Sequence, residues 1–352
     1  MMYPFKSGSF APRNGWYVAA FCNELGEALL GRWILNQPVV LYRKADGTAV
    51  AVEGRCPHRH FPLADSKRVG DAIQCGYHGI TFGADGKCTF IPSQTTVPGV
   101  LSIRSYPLVE RGLWAWIWSG DPAKADESLI PTLEEIGYRT DGDFHAKPFY
   151  YTHVNGRYQL LNDNLLDLTH LGYLHAGSIG TADDAATPEV RDLDARRLRS
   201  RRTMHNTPPT PAIRERFGHH GLVDRESGLD FFFPGFHAGV GDSWVAQGLP
   251  DAGKPLADSR VWHAVTPGMR HTTNYFFAMG SRDRAGVEFM VDYLKPVIAE
   301  DVFATEAIEK LIGAMDDVPT ELMLRSDTTA VMGRRVLQSM MDAEAAAQAP
   351  AP

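Results

Sequence analysis

Two short motifs carry the residues best suited to chemistry: Cys56-Pro57-His58 and, sixteen residues later, Cys75-Gly76-Tyr77-His78. Each supplies one soft thiolate and one imidazole from a stretch short enough to sit at the tip of a single loop. Two cysteines and two histidines also make a common structural zinc set. Zinc sites of that composition usually draw cysteine with cysteine and histidine with histidine. Alternation within each motif instead lets both cysteines bind one iron and both histidines the other. That is the ligand set of a [2Fe–2S] cluster in which His₂ replaces Cys₂ and raises the reduction potential. Such a cluster passes single electrons, so the chain needs an acceptor.

A second constellation supplies one: Asn164-Leu165-Leu166-Asp167-Leu168-Thr169-His170-Leu171-Gly172-Tyr173-Leu174-His175. Apolar spacing from Tyr158 to Leu174 reads as helix. Asp167 and His170, three apart, share a face of it, so the carboxylate is expected to hydrogen-bond the imidazole and fix its tautomer. His170 and His175, five apart, point about 140° from one another on an ideal helix. They can bind one ion only if the helix ends or bends between them, and Gly172 permits that. Taken alone, this pair would be read as packed or surface histidines. Paired with an electron donor, it reads as two ligands of the 2-His-1-carboxylate set of non-haem Fe(II) oxygenases, which leaves positions open for O2. Asp301 shares a helical stripe with Met290, Leu294, Val297, Ala304 and Ile308. Glu300 shares one with Tyr293, Val297, Ala307 and Leu311, so helical phase leaves both acids open as the third ligand. Asn164, a turn before Asp167, is either a wall of the iron site or a helix-packing group.

The elements that must position these residues fall into two classes. Trp16–Ala20, Trp33–Leu35, Val39–Tyr42, Ala49–Val52 and Leu113–Trp118 read as short strands, with Asp46-Gly47 a hairpin signal. They predict an all-β domain over residues 1–125, with a boundary in the polar stretch Gly120–Glu127. Residues 126–342 mix strands with helical patterns over 287–315 and 328–341 and predict an α+β domain. Residues 343–352 are low in complexity and read as a flexible tail. The net charge, 35 − 42 = −7, excludes the basic balance of a nucleic-acid binder. No run of about 20 apolar residues predicts a membrane helix, and no secretory signal is visible. Cys22 and Cys88 read as free thiols in a reducing compartment, and the cytoplasm is the expected location.

Over nearly its whole length the chain resembles the oxygenase components of Rieske non-haem iron oxygenases. The likeness lies in Asn14–Ala19, Cys56–Arg59, Cys75–Gly79, Trp116–Pro122, Asp163–His175 and the Glu300-Asp301 segment followed by Glu306–Glu309. Within the family it is most similar to the group of vanillate O-demethylase, dicamba O-demethylase and toluenesulfonate methyl-monooxygenase. The resemblance implies an all-β Rieske [2Fe–2S] domain followed by an α+β helix-grip catalytic domain. It also implies Asp301, over Glu300, as the carboxylate ligand to the mononuclear Fe(II). A head-to-tail homotrimer is implied, in which Asp167 of one subunit meets His78 of the next and passes electrons between them. NADH and flavin would sit on a partner reductase carrying its own [2Fe–2S] centre. No G-x-G-x-x-G follows a strand here, in keeping with a separate partner. The implied reaction is hydroxylation of a methyl or methoxy group on a small, acidic aromatic substrate; a methoxy carbon would then leave as formaldehyde. Ring dihydroxylation, N-demethylation and pure electron transfer are the alternatives. Pocket walls are expected from Arg191–His205, Phe231–His237, Trp244 and Val261–Ala264. Within that stretch Arg196–Arg202 reads as a solvated strand face or, less simply, as an oxyanion site. His60 reads as near-cluster packing or solvent-facing, and Tyr77 and Trp16 as shielding core.

Overall fold

The computed structural model describes residues 2–348, which divide into two units. The smaller comprises Arg13–Ile130 with Thr266–Arg270. Its strands are β1 (Trp16–Phe21), β2 (Leu30–Ile34), β3 (Gln37–Arg43), β4 (Ala49–Glu53), β5 (Lys67–Val69), β6 (Ala72–Gln74), β7 (Thr81–Phe82), β8 (Cys88–Phe90), β9 (Leu108–Arg111) and β10 (Trp114–Trp118). They form three antiparallel sheets, ordered β1-β10-β9, β2-β3-β4 and β5-β6-β7-β8. Every residue of β1 and β10 is buried, as expected of continuous runs of aromatic and small apolar residues. Asp46-Gly47 does close the β3–β4 hairpin. Gly47 takes φ 87°, and the Asp46 carboxylate accepts from the Thr48 N–H at 2.9 Å. Val40, Tyr42, Val52, Leu63, Ile73 and Phe82 make the core beneath the loops that leave β4 and β6. Those two loops carry the Cys/His motifs.

The larger unit comprises the segment up to Pro12, Pro131–Val265, and everything described from His271 on. Its strands are β11 (His145–Val154), β12 (Val190–Leu193), β13 (Arg197–Thr207), β14 (Val223–Phe232), β15 (Phe236–Val245), β16 (Pro255–Pro267) and β17 (Thr273–Ser281). They build one seven-stranded sheet in the order β11-β17-β16-β15-β14-β13-β12. The helices are α1 (Tyr158–Leu166), α2 (Asp183–Ala186), α3 (Pro211–Phe217), α4 (Arg284–Tyr293), α5 (Lys295–Gly313) and α6 (Thr328–Gln348), with α1 packed on α5 and α6. The helical pattern expected as one element over 287–315 is therefore two. Leu294 caps both, and Pro296, which cannot continue α4, starts α5 where its missing N–H is tolerated.

Three boundaries differ from expectation. The change of unit falls at Ile130/Pro131, and the chain's first residues join the larger unit: Arg334 Nη1 on α6 donates to Tyr3 O at 2.9 Å, and Lys6 N donates to Gln338 Oε1 at 2.9 Å. The stretch from 343 on continues α6 to Gln348, because its Ala, Glu and Gln residues are strong helix formers; residues 349–352 of the expected tail lie outside the described residues. The basic run does form strand β13, and its guanidinium groups sit against local acids, although Nε and Nη1 of Arg202 and Nε of Arg196 and Arg197 find no hydrogen-bond partner among the described residues. Arg199 and Arg201 reach Asp230 at 3.0 and 2.9 Å, Arg196 reaches Glu135 at 3.1 Å, and Arg202 lies 3.6 Å from Glu189.

Candidate functional site

The two Cys/His loops are built alike. Cys56 N donates to Phe61 O at 2.9 Å and Cys75 N to Ile80 O at 2.8 Å; His60 N returns to Cys56 O at 2.8 Å and Gly79 N to Cys75 O at 3.0 Å. Each loop needs a left-handed residue before it closes, met by His60 at φ 59° and Gly79 at φ 72°. A Cβ at Gly79 would approach Pro92 Cγ to 2.8 Å, so that position tolerates no side chain without movement. Cys56 and Cys75 are buried while His58 and His78 are exposed, and the two imidazoles are 4.7 Å apart, centre to centre. Burial, with Cys75 beside it, pushes the Cys56 thiol up from its ordinary value. A bound iron would reverse that by taking the thiolate. An inner pair of sulfurs and an outer pair of imidazoles fit a mixed-ligand [2Fe–2S] cluster with its histidine side at the protein surface. His60 is exposed, with Nδ1 at 3.1 Å from Arg55, as its reading required. Tyr77 corrects its reading: it is exposed against the His78 ring at 3.8 Å and does not belong to the core, whereas Trp16 does.

In the larger unit, helix α1 stops at Leu166. Asp167, at φ −118° ψ 89°, ends it and caps a 3₁₀ turn over Leu168–Gly172, its carboxylate accepting from Thr169 N at 2.9 Å. The expected contact from this carboxylate to His170 is therefore absent, because the i, i+3 geometry of a continuous helix is lost. His170 Nδ1–H meets the Asp167 backbone carbonyl instead, at 2.6 Å. The chain then doubles back through two required glycines. A Cβ at Gly172 would lie 2.6 Å from Thr181 O, and one at Gly180 1.7 Å from Leu171 O. This reversal brings His175 to His170, with ring centres 5.1 Å apart.

From α5, both neighbouring acids reach His175. Glu300 Oε2 accepts from Nδ1 at 2.6 Å, and Asp301 Oδ1 lies 3.0 Å from Nε2. Asp301 Oδ1 is also 3.7 Å from His170 Nε2 and accepts from Asn164 Nδ2 at 3.1 Å. One donor atom from each of His170, His175 and Asp301 thus lies within 4.8 Å of the other two. Both imidazoles have Nδ1 engaged and Nε2 presented, the usual arrangement for metal-bound histidine. Burial draws His170 below its ordinary pKa. Burial also pulls on His175, but Asp301 and Glu300 outweigh it and the net shift is upward. Two imidazoles, one carboxylate and a burial of 5% exposure for Asp301 fit a divalent iron with open positions. The buried stripe of α5 is Val297, Ile298, Asp301, Thr305 and Glu309; Ile308, expected on that stripe, is exposed. Glu300, weighed only as a rival ligand, is the group that sequence reasoning misplaced. Adjacent residues on a helix differ by about 100°, so one carboxylate can take Nε2 while the next takes Nδ1.

A cavity of about 800 Å³ opens against these atoms. Leu165, Leu168, Leu171, Phe277, Val297 and Ile298 line it beside them, and β14, β15 and β16 contribute its floor. Trp244, Val261 and His263 line it as expected, whereas Trp262 and Ala264 of the expected stretch alternate away from it along β16 and are buried. Arg191–His205 and Phe231–His237 do not line it, since the arginines turn to Asp230, Glu135 and Glu189 and the second stretch is core. His237 is fully buried, with Nε2 at 2.8 Å from Asn162 Oδ1, stacked on Phe231 and kept neutral by burial. Burial lowers His263 to about 4, and its Nδ1 lies 2.6 Å from the Tyr275 hydroxyl.

An all-β unit with a Cys₂/His₂ loop pair, and an α+β unit with two histidines and an aspartate on a cavity, define a two-centre iron oxygenase. Residues 15–107 match the Rieske [2Fe-2S] domain, and residues 154–343 match the vanillate O-demethylase oxygenase C-terminal domain. The chain is 32% identical over 349 residues to the toluene-4-sulfonate monooxygenase system iron-sulfur subunit of Comamonas testosteroni, covering 96% of this chain and 99% of that one. It is 35% identical over 345 residues to the oxygenase component of dicamba O-demethylase from Stenotrophomonas maltophilia, covering 95% and 99%. The crystal structure of dicamba monooxygenase bound to dicamba superposes with a TM-score of 0.82 at 32% identity, over 95% of this chain and 98% of that one. The chain belongs to the Rieske non-haem iron oxygenases, in the branch of the vanillate O-demethylase oxygenase components. Its cofactors are a Rieske [2Fe–2S] cluster and a mononuclear iron, and as an oxygenase component it takes its electrons from a reductase. No helix among the described residues is long and apolar enough to cross a membrane.

Proposed function

We propose that this protein is the terminal oxygenase of a multicomponent monooxygenase that hydroxylates a methyl or methoxy group of an acidic aromatic compound, with O-demethylation as the leading case. The observation that carries it is the convergence of His170 Nε2, His175 Nε2 and Asp301 Oδ1 on the wall of a largely apolar cavity. In this reading Cys56, His58, Cys75 and His78 hold the cluster, and His170, His175 and Asp301 hold the mononuclear iron. The iron, when bound, supplies the reductive activation of O2. Glu300 and the Asp167 carbonyl hold the two imidazoles in one tautomer, and Asn164 aims the Asp301 carboxylate. The leucines, Phe277, Val297 and Ile298 seat the reacting carbon and keep water from it. Asp167 carries electrons from the cluster of a neighbouring subunit in a cytoplasmic homotrimer. The relatives named for toluenesulfonate, dicamba and vanillate support an aromatic acid as substrate.

The test is turnover with a reductase, NADH and a panel of methoxybenzoates, measuring formaldehyde, the phenol product and ring diols. Formaldehyde in proportion to NADH consumed is expected; diols without formaldehyde would overturn the reading. Glu300→Ala frees the His175 ring and is expected to weaken iron retention roughly 10–100-fold. Chelator competition against the parent enzyme measures it, and unchanged retention would remove Glu300 from this role.

A further inference from the structure

We propose that the cavity has a second binding subsite at Arg225, which takes the oxyanion of a substrate longer than one aromatic ring. This rests on the reaction proposed above and names the substrate class for it. Arg225 lines the cavity at only 5% exposure. Its Nη2 donates to Asp184 Oδ1 at 2.6 Å, while its Nη1 has no hydrogen-bond partner among the described residues. Asp184, wholly buried, has its other oxygen taken by Thr181 N at 2.7 Å and Thr181 Oγ1 at 3.1 Å. That carboxylate holds the guanidinium in place without satisfying it. Across the sheet, Arg225 pairs with Ser243 and Ser243 with Ala257; the next row is Ser227, Gly241 and Ser259. These residues line the cavity, and a Cβ at Gly241 would meet nothing nearer than Ser259 Cβ at 3.9 Å. Among the described residues Ser227 Oγ also lacks a partner, as does Nε of Arg216, another lining residue. Unmet donors therefore gather at this end, and they fit the acceptor oxygens of a carboxylate or sulfonate.

The iron-side row is His237 and His263, six residues along β15 and β16 from the Arg225 row. At strand rise this is about 20 Å between Cα rows. A one-ring acid with its reacting carbon beside His170, His175 and Asp301 leaves Arg225 unreached. A two-ring acid covers rather more than half of that length, and the long Arg225 side chain must lean toward the iron side to meet it.

Calorimetric titration of the holoenzyme with three ligands tests this without turnover. They are para-methoxybenzoate, a biphenyl with para methoxy and opposite para carboxylate groups, and the same biphenyl lacking the carboxylate. The two-ring acid is expected to bind about tenfold or more tighter than either other ligand. Arg225→Gln should remove that advantage while leaving para-methoxybenzoate binding within about twofold. If the buried Asp184 prevents that variant from folding, Asp184→Asn with Arg225→Gln removes the stranded charge and carries the same expectation. A two-ring acid bound no tighter than the one-ring acid, or unaffected by Arg225→Gln, overturns the subsite. Arg225-dependent binding without formaldehyde release would keep the subsite and overturn the demethylation reading alone.

Discussion

Replacing Asp301 by alanine is expected to strip the mononuclear iron from the chain, leave the cluster iron and its visible spectrum in place, and abolish product formation. The carboxylate supplies the only negative charge among the three converging donors, and its Oδ1 faces the Nε2 of both imidazoles, at 3.0 Å from His175 and 3.7 Å from His170. Without it, two neutral histidines face the Nδ2–H donors of Asn164, whose present acceptor is that same oxygen. A donor group pointed at a cation repels it. The loss should exceed the roughly 10–100-fold that removal of an outer partner costs. Metal analysis beside the cluster absorbance decides the matter. A variant that retains its full iron complement would move the third ligand elsewhere, and Glu300, 2.6 Å from the other nitrogen of His175, would be examined first.

The cluster loops were the most legible part of the chain because their chemistry is local. Ligand type and spacing within each loop were enough to expect the mixed cluster, and the all-β scaffold followed from short strands and turn residues. The mononuclear centre was half legible. Spacing alone placed His170 and His175 on different faces of a helix, and reading them as a pair required a break. The break falls first at Asp167, where the helix ends, and the loop is then closed by Gly172 and Gly180; only the first glycine was singled out. Spacing could not rank Asp301 over Glu300, because both sit on half-apolar stripes and both turn out to touch His175. What could not be read was anything fixed by residues far apart in sequence. The pairing of Arg199 and Arg201 with Asp230 removes the basic run from the cavity. Arg334 on α6 reaches Asp163 on α1 at 2.6 Å and Tyr3 O at 2.9 Å, which ties the chain's first residues to its last helix. Such long-range ion pairs leave no periodic trace.

Asp167→Asn is expected to keep both iron centres filled and the fold intact while lowering steady-state turnover on the order of 10²-fold. The substitution suits the local structure. Asp167 caps the 3₁₀ turn by accepting from Thr169 N at 2.9 Å, and asparagine caps as well as aspartate. The hydrogen bond to His170 Nδ1 comes from the backbone carbonyl, so it survives any change of side chain. What is lost is the negative charge and the second acceptor oxygen through which the carboxylate would meet His78 of a neighbouring subunit. A purely structural role for Asp167 therefore predicts little effect from asparagine and a large one from alanine. An electron-transfer role predicts a large effect from both. Rapid mixing of the reduced, substrate-loaded enzyme with O2 separates the two, since cluster reoxidation slows only if Asp167 conducts. Reoxidation at the parent rate in Asp167→Asn would confine the residue to holding the turn that presents His170.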